Sequence, residues 1–117
     1  MFPHRGEIWW VVFDPSVGGE IQKTRPAVVI SNNAANAVLN RVIVIPLTSQ
    51  TAKVYPGEAL VVINGEQRKA MADQVLTASK RRLRTRLGML SYKDMTAVED
   101  ALLLQLGVRR RLPDGPH

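Results

Sequence analysis

The stretch Ala59-Leu60-Val61-Val62-Ile63-Asn64-Gly65 decides the fold, because an aliphatic, partly β-branched run leads directly into Asn-Gly. Asn and Gly tolerate the positive φ angles that both centres of a type I′ turn require, so the chain resuming near Lys69 is expected to pair antiparallel with this run. Outward from this hairpin, Ile8-Trp9-Trp10-Val11-Val12-Phe13, Ala27-Val28-Val29-Ile30 and Val42-Ile43-Val44-Ile45 repeat the short apolar pattern. Each reads as a strand, the first buried on both faces with Trp9 and Trp10 in the core.

Between the first two strands, residues 15–25 hold two adjacent glycines and no sustained period, which predicts a mobile loop. Asn32 to Asn40, rich in alanine and asparagine, reads as a short helical turn. Ser91 followed by Asp94 predicts a capping box, and Met95, Val98, Leu102 and Leu106 recur at helical spacing before Gly107. An amphipathic helix over about 91–106 follows, with Leu103 and Leu104 widening its apolar side so that more than one side is covered. Residues 108–117, with two prolines, are expected to fray. Strand–helix–strand alternation is absent, so a mainly β fold with α is expected: a small antiparallel barrel of five or six strands and one C-terminal helix. Closure of the barrel would protect strand edges.

The length of 117 residues suits a single domain over 1–117, and 45% hydrophobic with 22% charged residues is ordinary globular composition. No cysteine is present, which excludes disulfides, thiolate nucleophiles and cysteine-ligated metals. No run approaches the roughly 18 apolar residues of a membrane span, and the first residues lack an apolar signal core. A cytoplasmic protein without a membrane partner is expected. Sixteen Lys and Arg against ten Asp and Glu give a net charge of +6, with basic clusters at Arg68-Lys69, Lys80 to Arg86 and Arg109-Arg110-Arg111. A polyanion or an acidic protein fits as partner.

The two histidines, His4 and His117, lie near the ends of the sequence, and the carboxylates form no spaced metal motif. Gly18-Gly19 does not lead into a phosphate-cradling helix. No metal and no cofactor are therefore expected. What remains is arginine, hydroxyl and carboxylate chemistry, and the informative fragments are Gly19-Glu20-Ile21-Gln22-Lys23-Thr24-Arg25-Pro26 and Pro46-Leu47-Thr48-Ser49.

Four fragments in order, Arg5-Gly6-Glu7-Ile8-Trp9, the run from Asp14-Pro15 to Ile30-Ser31, Val44-Ile45-Pro46-Leu47-Thr48-Ser49, and Ala72-Asp73-Gln74-Val75, resemble the MazF/PemK (Kid) toxins of type II toxin–antitoxin systems. The likeness spans residues 5 to about 106. It implies an SH3-like barrel of the CcdB/MazF type in a homodimer, sequence-specific cleavage of single-stranded RNA, and neutralisation by an acidic antitoxin. By position, Arg25 and Thr48 match the residues on which the family's cleavage depends, and Asp73 an acidic position used by some members. Two departures stand out: Gly19 replaces a histidine and Met71 an arginine of PemK-type members.

The chemistry has its own logic. RNA carries a nucleophile in the 2′-hydroxyl beside the scissile phosphate, so a protein need only align it and stabilise the charge of the transition state, without metal or histidine. The planar fork of Arg25 matches phosphate oxygens, and Thr48 can donate to another. Glu20 and Asp73 are candidates for acid–base work or RNA contact by residue type. Gln22, Ser49, Lys53, Gln74, Arg84 and Arg86 are candidate RNA contacts; the bland reading makes the hydroxyls strand-end caps and the cations solvated faces. Two other functions suit the same fold: a CcdB-like topoisomerase poison acting by protein contact, and a nucleic-acid-binding barrel without catalysis.

Overall fold

The computed structural model describes residues 1–13 and 23–109. In chain order they form β1 (Glu7–Phe13), β2 (Lys23–Val29), α1 (Asn33–Val38), β3 (Arg41–Thr48), β4 (Glu58–Ile63), β5 (Glu66–Met71), β6 (Leu76–Ser79), β7 (Leu83–Met89) and α2 (Tyr92–Leu106). Short 3₁₀ turns at Ala72–Gln74 and Lys80–Arg82 precede β6 and β7 respectively as the chain turns at each.

The Asn-Gly hairpin forms as expected. Asn64 and Gly65 take φ values of 51° and 81°, and β4 pairs antiparallel with β5 from Ile63↔Glu66 to Glu58↔Met71. All strand pairings are antiparallel. The order across the sheet is β4-β5-β3-β2-β1-β7, with β6 also beside β3. One border of β3 is shared: Arg41 to Val44 pair with β6, then Leu47 and Thr48 pair with β5.

Seven strands exceed the five or six expected, because β7 carries little apolar signal. Its Leu83-Arg84-Thr85-Arg86-Leu87 alternation is mostly exposed and is held by pairing with β1. The expected loop over 15–25 is corrected at its end, since Lys23, Thr24 and Arg25 belong to β2, opposite Phe13, Val12 and Val11. The rest of that loop, 15–22, lies outside the described residues, as do 110–117 of the tail expected to fray. Nor is the barrel closed by a ladder: among the described residues none joins β4 to β7, and the two ends meet through Asn64, whose Nδ2 donates to the Leu87 carbonyl at 3.2 Å.

Two apolar clusters sandwich the central strands. Ile8, Val28, Ile45 and Leu47 face Ala59, Val61, Ile63, Met95, Val98 and Ala101 beneath α2. On the opposite face Val11, Ala27, Val29, Val42, Val44 and Ala78 form a second cluster, with Trp9, Phe13 and Leu83 against it. Trp9 and Trp10 are each half-buried rather than enclosed. Of the two leucines expected to widen the covered side of the helix, Leu103 is half-buried and Leu104 is 60% exposed, while Leu106, expected on the apolar stripe, is 58% exposed. The helix starts at Ser91, whose Oγ accepts the Asp94 N–H at 3.1 Å, and ends at Gly107 with φ 70°. The Asp94 carboxylate does not complete a capping box; it accepts the Val62 N–H at 2.9 Å instead and so satisfies a donor on edge strand β4. No helix of the described residues is long and apolar enough to cross a membrane.

Candidate functional site

Two prolines shape the site. Pro26 in β2 and Pro46 in β3 have no N–H to give to a ladder. The β2–β3 pairing runs from Val29↔Val44 to Ala27↔Pro46 and goes no further. Continued two residues outward, the same register sets Arg25 across from Thr48, where β3 leaves β2 for β5. Residues opposite one another in antiparallel strands share a face. Val11, Arg25, Thr48, Lys69 and Leu60 therefore form one row across β1, β2, β3, β5 and β4, on the face away from α2.

Arg25 is half-buried, and its guanidinium makes no ion pair or hydrogen bond with another described residue. Thr48 is also half-buried, and its Oγ1 accepts the Gln50 N–H at 3.2 Å. That backbone contact is the strand-end cap anticipated for this hydroxyl, and it leaves the hydroxyl hydrogen for another acceptor. Ser49, next in the chain, is exposed, and Lys53 lies further along the same loop. Thr48 and Ser49 thus lie at the end of β3, and Arg25 stands on the neighbouring strand, two residues beyond the last β2–β3 pair.

The other candidates are dispersed. Asp73 and Gln74 are exposed on the 3₁₀ turn that carries the chain from β5 to β6 along the border of β3, and Gln74 Nε2 lies 3.5 Å from Met71 Sδ. Arg84 and Arg86 sit on β7, beyond β1. Arg84 donates to the Arg81 carbonyl, and Arg86 Nε to Glu7 Oε2 at 2.7 Å. Glu20 and Gln22 lie outside the described residues. Among the described residues no three His, Cys, Asp or Glu side chains are grouped to hold a metal ion.

Two ion pairs, one largely buried and one with a buried carboxylate and an exposed arginine, flank the row. Glu7 accepts the His4 N–H at 2.6 Å and Trp9 Nε1 at 3.2 Å on one oxygen and Arg86 on the other. Burial by itself raises the Glu7 pKa, but the bonds from His4, Arg86 and Trp9 outweigh it and hold the carboxyl below its usual range. At the other end, Lys69 Nζ stands 3.1 Å from Glu58 Oε1 and donates to the Lys53 carbonyl at 2.9 Å. The Tyr55 N–H on Glu58 lowers that carboxyl too; burial opposes the shift and Lys69 adds to it. Neither Glu7 nor the Glu58–Lys69 pair was singled out from the sequence, where Lys69 read only as part of a basic cluster.

A family model described as a PemK-like, MazF-like toxin of type II toxin-antitoxin system matches residues 4–106. The endoribonuclease MazF9 of Mycobacterium tuberculosis is 40% identical over 111 residues, which cover 87% of this chain and 94% of that protein. The endoribonuclease toxin MazF of Escherichia coli K12 is 34% identical over 108 residues, covering 90% and 95%. Among solved structures, an endoribonuclease in complex with its cognate antitoxin from a Mycobacterial species superposes with a TM-score of 0.77 at 25% identity, covering 93% of this chain and 99% of that one.

Proposed function

Since the chain belongs to the PemK-like, MazF-like toxins of type II toxin–antitoxin systems, we propose that it is an endoribonuclease cutting single-stranded RNA at short sequence motifs. The observation that carries this reading is the register that sets Arg25 across from Thr48, beyond the last β2–β3 pair. Relatives of this identity are named endoribonucleases, which favours cleavage over a protein-binding poison or a passive RNA binder.

In the reaction the 2′-hydroxyl of the nucleotide before the cut attacks the adjacent phosphorus. A bond forms from O2′ to phosphorus and the bond to O5′ breaks, leaving a 2′,3′-cyclic phosphate and a 5′-hydroxyl. The guanidinium of Arg25 binds two non-bridging oxygens in a fork and stabilises the charge that builds on them. The Thr48 hydroxyl, its oxygen already accepting from Gln50, donates its hydrogen to the same phosphate. Glu20 and Asp73 are the carboxylates proposed to move the protons of O2′ and O5′ or to contact the RNA; Ser49, Lys53, Gln74, Arg84, Arg86 and Gln22 are proposed to hold the flanking strand. Because the substrate supplies its own nucleophile, the reaction needs no metal-bound hydroxide and no cofactor.

The net charge of +6 suits both RNA and an acidic antitoxin. A homodimer acting in the cytoplasm completes the proposal. The test is a 2′-deoxy substitution at the cleaved nucleotide of an RNA with a mapped cut, assayed in chelator: cutting should cease there, while persistent cutting would sink the mechanism.

A further inference from the structure

Lys69 differs from the basic residues around it by burial. At 8% exposed it is the only buried lysine or arginine among the described residues. It stands opposite Thr48 in the β3–β5 register and on the same face. From Thr48 the chain enters residues 49–57, which have no regular structure and return to the sheet at Glu58. Two points of that loop converge on one ion pair: the Lys53 carbonyl accepts Lys69 Nζ at 2.9 Å, and the Tyr55 N–H donates to Glu58 Oε1 at 2.9 Å, 3.1 Å from the same Nζ.

Such an arrangement does little as a source of stability, because removing two charges from water offsets most of their attraction. Nor is the ammonium suited to receive a phosphate. Glu58 neutralises its charge at contact distance, and two of its three donors are already engaged. What the pair does is fix geometry. The bond to the Lys53 carbonyl ties the middle of the loop to β5, and Thr48 is the residue from which the loop springs.

We infer that Lys69 is a positioning residue for RNA cleavage: held by Glu58, it clamps the loop after β3 and so fixes the strand end that carries Thr48. The role rests on the reading of Thr48 as a phosphate ligand. Misplacing a contact by about 1 Å costs on the order of 10²-fold in rate, so the clamp is expected to register in the chemical step and not in folding alone.

The experiment measures single-turnover cleavage of a short synthetic RNA with one mapped cut site, together with thermal unfolding of each variant. Lys69→Met with Glu58→Leu removes both charges and leaves no carboxylate unpaired, so this double variant is expected to unfold near the wild-type midpoint. It should cut about 10- to 100-fold more slowly at saturating RNA. Lys69→Arg, which can reach the same two acceptors, should restore most of the rate. In a Thr48→Ala background the same double substitution, Lys69→Met with Glu58→Leu, should add no further loss. A folded Lys69→Met/Glu58→Leu variant cutting within about threefold of wild type, alongside a severely impaired Thr48→Ala, would overturn the role of Lys69 alone. Losses that multiply in the Thr48→Ala background would overturn its action through Thr48. Wild-type cutting by Thr48→Ala would overturn the phosphate-ligand reading, and the role of Lys69 with it.

Discussion

The two faces of β2 and β3 carry equally buried residues and end differently. Toward α2 they present Val28, Ile45 and Leu47, closed over by β4, β5 and the helix. On the opposite face Ala27, Val29 and Val44 are just as buried, yet the same face runs outward to the half-buried Arg25 and Thr48. The difference arises from backbone chemistry as much as from side chains. Pro26 has no N–H to give to β3, so the β2–β3 ladder stops there, and Pro46 lies where the other border of β3 passes from β6 to β5. One face is finished by packing; the other opens into a site because its hydrogen bonding stops.

If this division holds, stability and cleavage should separate by face. The largest expected effect on folding comes from Ile45→Ala. It empties space in the helix-side cluster and should lower unfolding free energy by about 2 to 5 kcal/mol in a urea titration. Cleavage per folded molecule should stay unchanged; a proportionate loss of intrinsic activity would break the comparison.

Glu7 lies at the junction between β1 and β7 and tests the edge of the division through pH. Its folded carboxyl titrates below the ordinary value of 4.5, so the folded state binds the proton less tightly than the unfolded state does. The stabilisation it gives is fully present above about pH 4.5 and is lost as pH falls through the folded value. Glu7→Gln should cost about 1 to 3 kcal/mol at pH 7 and flatten the acid limb of a stability–pH curve; an unaltered limb would contradict the assignment. Glu58 is shifted in the same direction and should add to that limb.

A smaller effect sharpens the account of the hairpin. Gly65 has φ of 81°, in a region that costs a side chain about 1 kcal/mol. Gly65→Ala should lower the unfolding free energy by that amount in a denaturant titration and leave cleavage alone, since the turn lies away from the row of Arg25 and Thr48.

What could be read from the sequence follows the range of the interactions involved. The hairpin and its register were legible because Asn64-Gly65 fixes them locally, and the ends of α2 because Ser91 and Gly107 act within a turn of the helix. β7 was not legible: Arg84, Thr85 and Arg86 supply no apolar run, and the strand exists by virtue of its partner β1. Asp94 had the spacing of a capping box, yet a distant donor at Val62 captured its carboxylate. Arg25 and Thr48 were singled out through a family likeness. Their facing positions depend on a β2–β3 register that no tight turn dictates, since α1 intervenes between the two strands. Lys69 could be placed opposite Leu60 from the hairpin alone, but not opposite Thr48, because the β3–β5 pairing joins strands across the long loop.

The central claim is that cleavage is performed where the β2–β3 ladder ends, and the most direct test is single-turnover cutting of one RNA by wild type, Arg25→Ala and Thr48→Ala, with thermal unfolding of the same preparations. Each substitution should slow cutting by on the order of 10²- to 10³-fold while the unfolding midpoint stays close to that of the wild type. Folded variants that both cut at the wild-type rate would contradict the account.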